Sequence, residues 1–425
     1  MKYNLNDKPG IFPMFMYGLQ WWIVSIPCVV IMGIIVAQLH STDASGQIFY
    51  MQKLFGVIGI AMTAQVLWGH RLPIIIGPAS VLLIGILAAI SMGTAAIYTA
   101  IFVCGIFVAL LAFCGLLSHL QAIFTPRIII VILCLIAFTL APVILQLIFT
   151  NTGSASFQLF FALLLAFGMI LANRLLRGIW KSTVVLCGIL AGSFIYYSIE
   201  GFPLLPSLIP LPAAETHFWL WPLHFDGGVI LSFFFCFIAL IVNELGSIQA
   251  VGQMIGADNM EKRTTRGVGF IGLSNILSGI CGIIGPVDYS MSPGIIAATG
   301  CASRYTLIPA GLGLVICAFF PGFIQILNCI PGVVMGSVLL YLMSSQLSAG
   351  LQMLSRSKAV FDFNSGIIIG FPLMVALMLA FVPHEVIDRI PAFIRPIVGN
   401  GFVMGVIFVL LLEHIILKSP KQEKG

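Results

Sequence analysis

The sequence predicts an all-α polytopic membrane protein of about fourteen transmembrane segments, a 7+7 inverted repeat with short strands in segments 3 and 10. Composition, the recurrence of apolar runs and the placement of basic residues predict it. The 425 residues are 60% hydrophobic and 8% charged, with a mean hydropathy of +1.13. A soluble domain carries about a quarter charged residues, so no soluble domain fits anywhere. Apolar runs of about 17 to 25 residues, each able to cross roughly 30 Å of hydrocarbon as a helix, recur from Phe15 to Leu417.

With Gly, Pro and charge as punctuation, the first seven segments lie near 12–38, 48–68, 74–92, 95–117, 126–149, 155–176 and 179–198. The second seven lie near 227–254, 267–284, 286–302, 305–328, 331–353, 362–382 and 396–417. The first run follows Lys2 and Lys8 but extends to about Leu39 without a small-residue cleavage site, so it reads as a span rather than a cleaved signal. Short cytoplasmic loops collect Lys and Arg. On this count all of the 19 Lys and Arg except Lys53, Arg389 and Arg395 fall on one side, which predicts that both termini are cytoplasmic in a cell membrane. The net charge of +5 is then a topology signal and no sign of nucleic-acid binding.

The break from Glu200 to Asp226 divides the chain into a first repeat (1–199), a connector (200–226) and a second repeat (227–425). Halves with an odd number of crossings enter the bilayer in opposite orientations, which is the arithmetic of an inverted repeat. Within the connector, Phe218, Trp219 and Trp221 beside Pro203, Pro206, Pro210, Pro212 and Pro222 predict a segment at the headgroups or a merely structural link. All 10 cysteines lie in or beside apolar runs with no Cys-x-x-Cys spacing, so they read as small buried hydrophobes.

The third segment of each half is interrupted. It reads Leu72-Pro73-Ile74-Ile75-Ile76-Gly77-Pro78-Ala79-Ser80 in one and Gly285-Pro286-Val287-Asp288-Tyr289-Ser290-Met291-Ser292-Pro293-Gly294 in the other. Pro removes a backbone donor and Gly loosens the chain, so each should be extended and then start a short helix. Such backbone is tolerated at membrane depth only where protein or a watery cavity satisfies its amides. The pair therefore marks a central site, with two half-helix N-termini pointing toward each other and Ser80 and Ser292 where N-caps belong, as caps, ligand contacts or both.

Glu244 sits in the run Ile230 to Met254, otherwise free of charge. An acid at a helix centre must be neutral, paired or functional. With no Lys or Arg one or two turns away, Glu244 is read as a proton acceptor that hydrogen-bonds a ligand N–H; the plainer alternative is structural glue to Asn243, Gln249 or a backbone group. Asp288 is a second coupling candidate, or else a water-exposed or turn-shaping residue. Met291 would be an apolar wall, and Trp21 and Trp22 either stack on a heterocycle or pack. His70-Arg71 and Arg304 read as topology anchors, and Gly267, Gly269, Gly272, Ser274, Ser278, Gly279 and Gly282 as a surface for close helix packing. Without a nucleotide loop, a metal-ligand cluster or a Ser/His/Asp set, neither an enzyme nor a cofactor is expected.

Across nearly the whole chain these residues resemble the nucleobase and ascorbate transporters, of the xanthine and uracil permease type. The resemblance is carried by Gly18-Leu19-Gln20, Leu72-Pro73, Gly77-Pro78-Ala79-Ser80, Asn243-Glu244-Leu245-Gly246, Leu277 to Gly282, Ile330 to Gly336 and Gly399-Asn400-Gly401. Of the family's tenth-segment signature Asn-x-Gly, four residues, Thr-Arg-x-Gly, the chain keeps Gly294 and Thr299. Ser292, Gly300 and Ala302 replace the rest, and Met291 stands where an acid or amide is usual.

The resemblance implies a core domain of segments 1–4 and 8–11 moving against a gate domain of segments 5–7 and 12–14. It also implies homodimers in the lipid bilayer and proton-coupled uptake of a small heterocyclic substrate bound between the strands. Substrate contacts are then expected from Glu244, Ala79, Ser80, Tyr289, Ser290, Met291 and Ser292, and proton coupling from Glu244 and Asp288. The competing readings are a sulfate-permease-like anion transporter of the same fold without its regulatory domain, and a passive channel.

Overall fold

The computed structural model describes residues 1–41, 43–117, 124–149, 154–201, 222–356, 362–391 and 393–417. The first half comprises α1 (Ile11–His40), α2 (Ala44–Leu67), β1 (Ile76–Pro78), α3 (Ser80–Ala89), α4 (Thr94–Phe113), α5 (Pro126–Thr139), α6 (Ala141–Ile148), α7 (Ala155–Leu175) and α8 (Val184–Glu200). The second half comprises α9 (Gly227–Ile255), α10 (Met260–Cys281), β2 (Pro286–Asp288), α11 (Ser292–Thr299), α12 (Leu307–Ala318), α13 (Pro321–Asn328), α14 (Gly332–Arg356), α15 (Phe363–Ala380) and α16 (Gly401–Leu411).

Local chemistry sets many of these ends. Asp43, Thr125, Asp226, Asp362 and Asn400 each accept a backbone N–H of the first turn of the helix they precede, filling donors that the helix leaves free. Gly256, Gly282 and Gly300 close α9, α10 and α11 in the left-handed region, at φ of 64°, 66° and 65°.

Among the described residues, seven helices are long and apolar enough to cross a membrane, eight if the bent pair made by Arg304–Ala318 and α13 is one span. Several expected spans are thus not single helices. The eleventh bends by 89° where Pro321 follows Phe319 and Phe320, and the fifth divides at Leu140 ahead of Pro142. The seventh divides near Thr183, and the last is split by Gly399 and Asn400. Pro and the Asn cap end one hydrogen-bond ladder and begin another, which hydropathy averaged over a window does not register. The predicted connector residues Phe218, Trp219 and Trp221, and the prolines at 203, 206, 210 and 212, lie outside the described residues.

Two groups of helices result. In one, α4 packs along α10 and α2 along α12, with α1 on α2 and α12 and with α9 on α3, α4 and α10. In the other, α14 packs on α5, α6 and α7, while α15 packs on α5 and α16. The closest helix pair is built from glycine, because apolar side chains gain nothing by leaving lipid and contact must come from backbone proximity. A Cβ at Gly272 would lie 2.6 Å from Ala109 N, one at Gly279 2.6 Å from Phe102 N, and one at Gly105 2.8 Å from Ile276 N. All ten cysteines are unpaired; Cys114 and Cys187 are exposed and so depart from the buried reading.

Gly272→Val should therefore push α10 off α4 and cost about 1–3 kcal/mol. It should lower the unfolding temperature of the detergent-solubilised protein, whereas Gly246→Ala, with nothing within 4 Å of its added carbon, should not. Equal unfolding temperatures for both variants would remove the close-packing argument.

Candidate functional site

The interrupted segments meet as an antiparallel two-stranded ribbon, with Ile76 opposite Asp288, Gly77 opposite Val287 and Pro78 opposite Pro286. The pairing continues past the strands: Ala79 N–H donates to the Gly285 carbonyl at 2.9 Å and Tyr289 N–H to the Ile75 carbonyl at 2.8 Å. Because the strands are antiparallel, α3 and α11 leave the ribbon in opposite senses. The Tyr289 ring lies across β1 and its hydroxyl donates to the Pro78 carbonyl at 2.8 Å. Only a residue without a side chain fits beneath it, since a Cβ at Gly77 would be 2.6 Å from the ring.

One face of α9 closes on the free edge of β2. Asn243, Glu244 and Ser247, spaced by one and three residues, sit on that face. Asp288 N–H donates to Glu244 Oε2 at 3.0 Å, while Asn243 Nδ2 and the Ser247 hydroxyl donate to the Asp288 carbonyl at 3.2 and 3.0 Å. From α10, Asn275 Nδ2 donates to the Pro286 carbonyl at 3.1 Å, and from α2 the Tyr50 hydroxyl accepts the Ile284 N–H at 2.9 Å. Glu244 and Asp288 are fully buried and adjoin each other, the Asp288 backbone N–H resting on the Glu244 carboxyl. Glu244 Oε1 has no hydrogen-bond partner among the described residues.

The structure adds a residue that the sequence reading had set aside. His70 is no surface anchor: it is fully buried, with Nε2 3.2 Å from Asp288 Oδ2. Its Nδ1 accepts the Leu72 N–H at 2.9 Å, and its backbone is held by Gln65 Oε1 on one side and by the Arg263 guanidinium on the other. Arg71, next to it, adopts φ of 57°, a conformation that costs a side-chain-bearing residue about 1–3 kcal/mol and is kept here by the surrounding contacts. At the cytoplasmic end on the predicted topology, the hydrogen bond and charge of Arg263 hold the Asp258 carboxyl below the usual range. Arg304 likewise binds inward, donating to the Val66 carbonyl at 2.8 Å.

The ribbon gathers the predicted contact residues at one place, though not all in the expected manner. Ala79, Ser292 and Glu244 are buried, Ser80, Tyr289 and Met291 half-buried, and Ser290 exposed. Neither serine caps its helix. Ala79 and Met291 occupy the cap positions, and Ser80 and Ser292 are the first helical residues. Ser292 instead stitches the ribbon, its hydroxyl accepting the Ile75 N–H at 3.0 Å and donating to the Tyr289 carbonyl at 2.8 Å. The Ala79 amide is spent on Gly285 and so is not a free donor at the helix start. Trp21 and Trp22 pack: Trp21 Nε1 donates to the Thr306 hydroxyl at 3.1 Å, and the Trp22 ring fills the space above Gly313. Among the described residues, no group of three or more His, Cys, Asp or Glu could hold a metal ion.

Comparison with known proteins agrees with this architecture. The chain aligns with the "Nucleobase transporter PlUacP" of Paenibacillus larvae, 26% identical over 96% of this chain and 95% of that protein. It aligns with the "Xanthine permease" of Bacillus subtilis (strain 168), 25% identical over 92% of each. Among solved structures, the transmembrane domain of a cyanobacterial bicarbonate transporter, BicA, superposes with a TM-score of 0.60 at 15% identity, over 89% of this chain and 98% of that one. At that identity the match speaks for the fold alone. Murine Slc26a9, an anion transporter, superposes with a TM-score of 0.61 at 14% identity, over 96% of this chain and 69% of that one. The Xan_ur_permease profile, described as Permease family, matches residues 12–385, and the chain belongs to that family of membrane permeases.

Proposed function

We propose that the protein is a secondary active transporter taking up a nucleobase or related heterocycle together with a proton, by alternating access. The observation that carries this is a buried carboxyl pair, Glu244 and Asp288, built against a two-stranded ribbon from which two half-helices depart. Substrate would lie at the ribbon between the half-helix starts, against Ala79, Ser80, Tyr289, Ser290, Met291 and Ser292, with Glu244 holding the coupled proton. The names of the relatives, nucleobase transporter and xanthine permease, support that ligand class. The charges buried at the ribbon are acidic, which favours this reading over carriage of an anion.

The fourteen-segment inverted repeat with cytoplasmic termini belongs to the same reading, and the packing supports it. Adding seven to a segment number exchanges the halves. Under that exchange α4 on α10 becomes α12 on α2, α1 on α12 becomes α9 on α4, and α1 on α2 becomes α9 on α10; every one of these contacts is present. In the second group, α15 on α5 becomes α7 on α14, and α15 on α16 becomes α7 on α8, again all present. The first group would be the core that carries the site, and the second the gate it moves against.

Three outcomes are expected. Glu244→Gln keeps an acceptor for the Asp288 N–H but cannot carry a proton. It should reach the membrane yet let the internal-to-external substrate ratio fall to about one, the value for uncoupled flux. Accumulation at the wild-type ratio would remove the coupling role. Met291→Glu should shift preference toward xanthine or uracil in an uptake panel of tritiated purines and pyrimidines, and an unchanged ranking would count against Met291 as a cavity wall. A reporter fused at Glu215 should be accessible from outside the cell, and a cytoplasmic signal there would overturn the segment count.

A further inference from the structure

We propose that His70 is a positioning residue for the Glu244–Asp288 pair, deciding which of the two holds the coupled proton; this rests on the proton-coupled reading above. The groups facing the His70 ring and its backbone come from four elements. Asp288 lies on β2 at 3.2 Å and Glu244 on α9 beyond it. Arg263 on α10 reaches the His70 carbonyl at 3.2 Å, and Gln65 on α2 accepts the His70 N–H at 3.1 Å. Gln65 is itself anchored by donating to the Gly267 carbonyl at 2.8 Å. Room for the ring depends on Gly267, where a Cβ would come within 3.1 Å of His70 Cβ. The strained turn at Arg71 then fixes the backbone on which the ring sits.

This setting selects one form of the ring. Nδ1 receives the Leu72 N–H, so in the neutral imidazole the single ring proton is on Nε2, the nitrogen that faces Asp288. A proton on Nδ1 would collide with the Leu72 donor. His70 therefore offers Asp288 one N–H and no base, and it is not a link in a proton chain. Two adjoining buried carboxyls share a proton more readily than both ionise. A ring N–H 3.2 Å from an oxygen of only one of them breaks the tie, placing the negative charge on Asp288 and the shared proton on Glu244. Among the described residues Glu244 Oε1, both Asp288 carboxyl oxygens and His70 Nε2 make no hydrogen bond, so the proton exchanges within this cluster, where Nε2 meets Asp288 Oδ2 as a close polar contact.

The test is the pH dependence of uptake into cells, measured with whichever of tritiated xanthine, uric acid or uracil the wild type accumulates. His70→Leu removes the donor, so protonation of the pair should persist to more alkaline conditions. The pH of half-maximal uptake should rise by about one unit or more, with little change in substrate KM at acid pH. His70→Gln, whose amide can donate in the same direction, should return most of that shift. In Asp288→Asn the donor has nothing left to orient, so His70→Leu added to it should change the profile no further.

A His70→Leu profile identical to the wild type, or shifts that add in the double variant, would overturn the proposal. If His70→Leu does not reach the membrane, His70→Asn, too short to meet Asp288 Oδ2, replaces it with the same two outcomes. Glu244→Gln run alongside separates the failures. Accumulation retained there defeats the coupling reading itself, whereas accumulation lost there beside an unmoved His70→Leu profile defeats only the role of His70.

Discussion

Two stretches of non-helical backbone lie deep in a protein that lives in hydrocarbon, and satisfying their amides and carbonyls is the constraint on which the rest of the molecule depends. An unpaired peptide group in such surroundings costs roughly 2–7 kcal/mol, so even a few would prevent the arrangement. The two strands pair with each other along one edge. Side chains supply further partners: Glu244, Asn243 and Ser247 from α9, Asn275 from α10, Tyr50 from α2, and Ser292 and Tyr289 from the ribbon's own borders. Polar side chains that would be liabilities in an ordinary membrane helix are required here. Their positions follow from where the backbone has orphaned groups.

The same constraint joins architecture to chemistry. Glu244 is structural glue, since it accepts the Asp288 amide, and that role leaves its second oxygen uncommitted. The two readings open from sequence, glue and proton carrier, are thus compatible within one carboxyl. A protonated acid still has an oxygen with which to accept the amide, so the ribbon persists in either state, while the field around it changes by a full charge. That combination suits a carrier, because the site can gain or lose a proton without dismantling the scaffold that shapes it.

What was legible in the sequence divides along the range of the interactions. Hydropathy located the helices to within a few residues for α1, α9 and α15, and Pro and Gly announced both ribbon strands, because those signals are local to the chain. The serines were displaced by one position: Ser80 and Ser292 are polar residues at helix starts, but the turn of backbone that decides which residue is the cap is set by cross-ribbon pairing. His70 was misread because Gly-His-Arg beside a predicted cytoplasmic loop looks like a topology marker. Its true setting is a tertiary contact. The one usable sign was Gly267, where the missing side chain leaves space that Ile248 and His70 occupy.

The pairing of helices across the halves carries the argument from site to motion. Contacts related by exchanging the two proposed repeats are made within each group, α4 on α10 with α12 on α2 in the first and α15 on α16 with α7 on α8 in the second. Each group is therefore built from both halves of the chain. In the first group a glycine-lined backbone contact joins α4 to α10, so that group is stiff where it supports the ribbon. Between the groups, the contacts of α1 with α8 and of α9 with α16 are also exchange partners. On the alternating-access mechanism proposed above, a pseudo-symmetric boundary of that kind would offer two related packings, one open to each side, between which a rigid group carrying the ribbon passes with its hydrogen bonds intact.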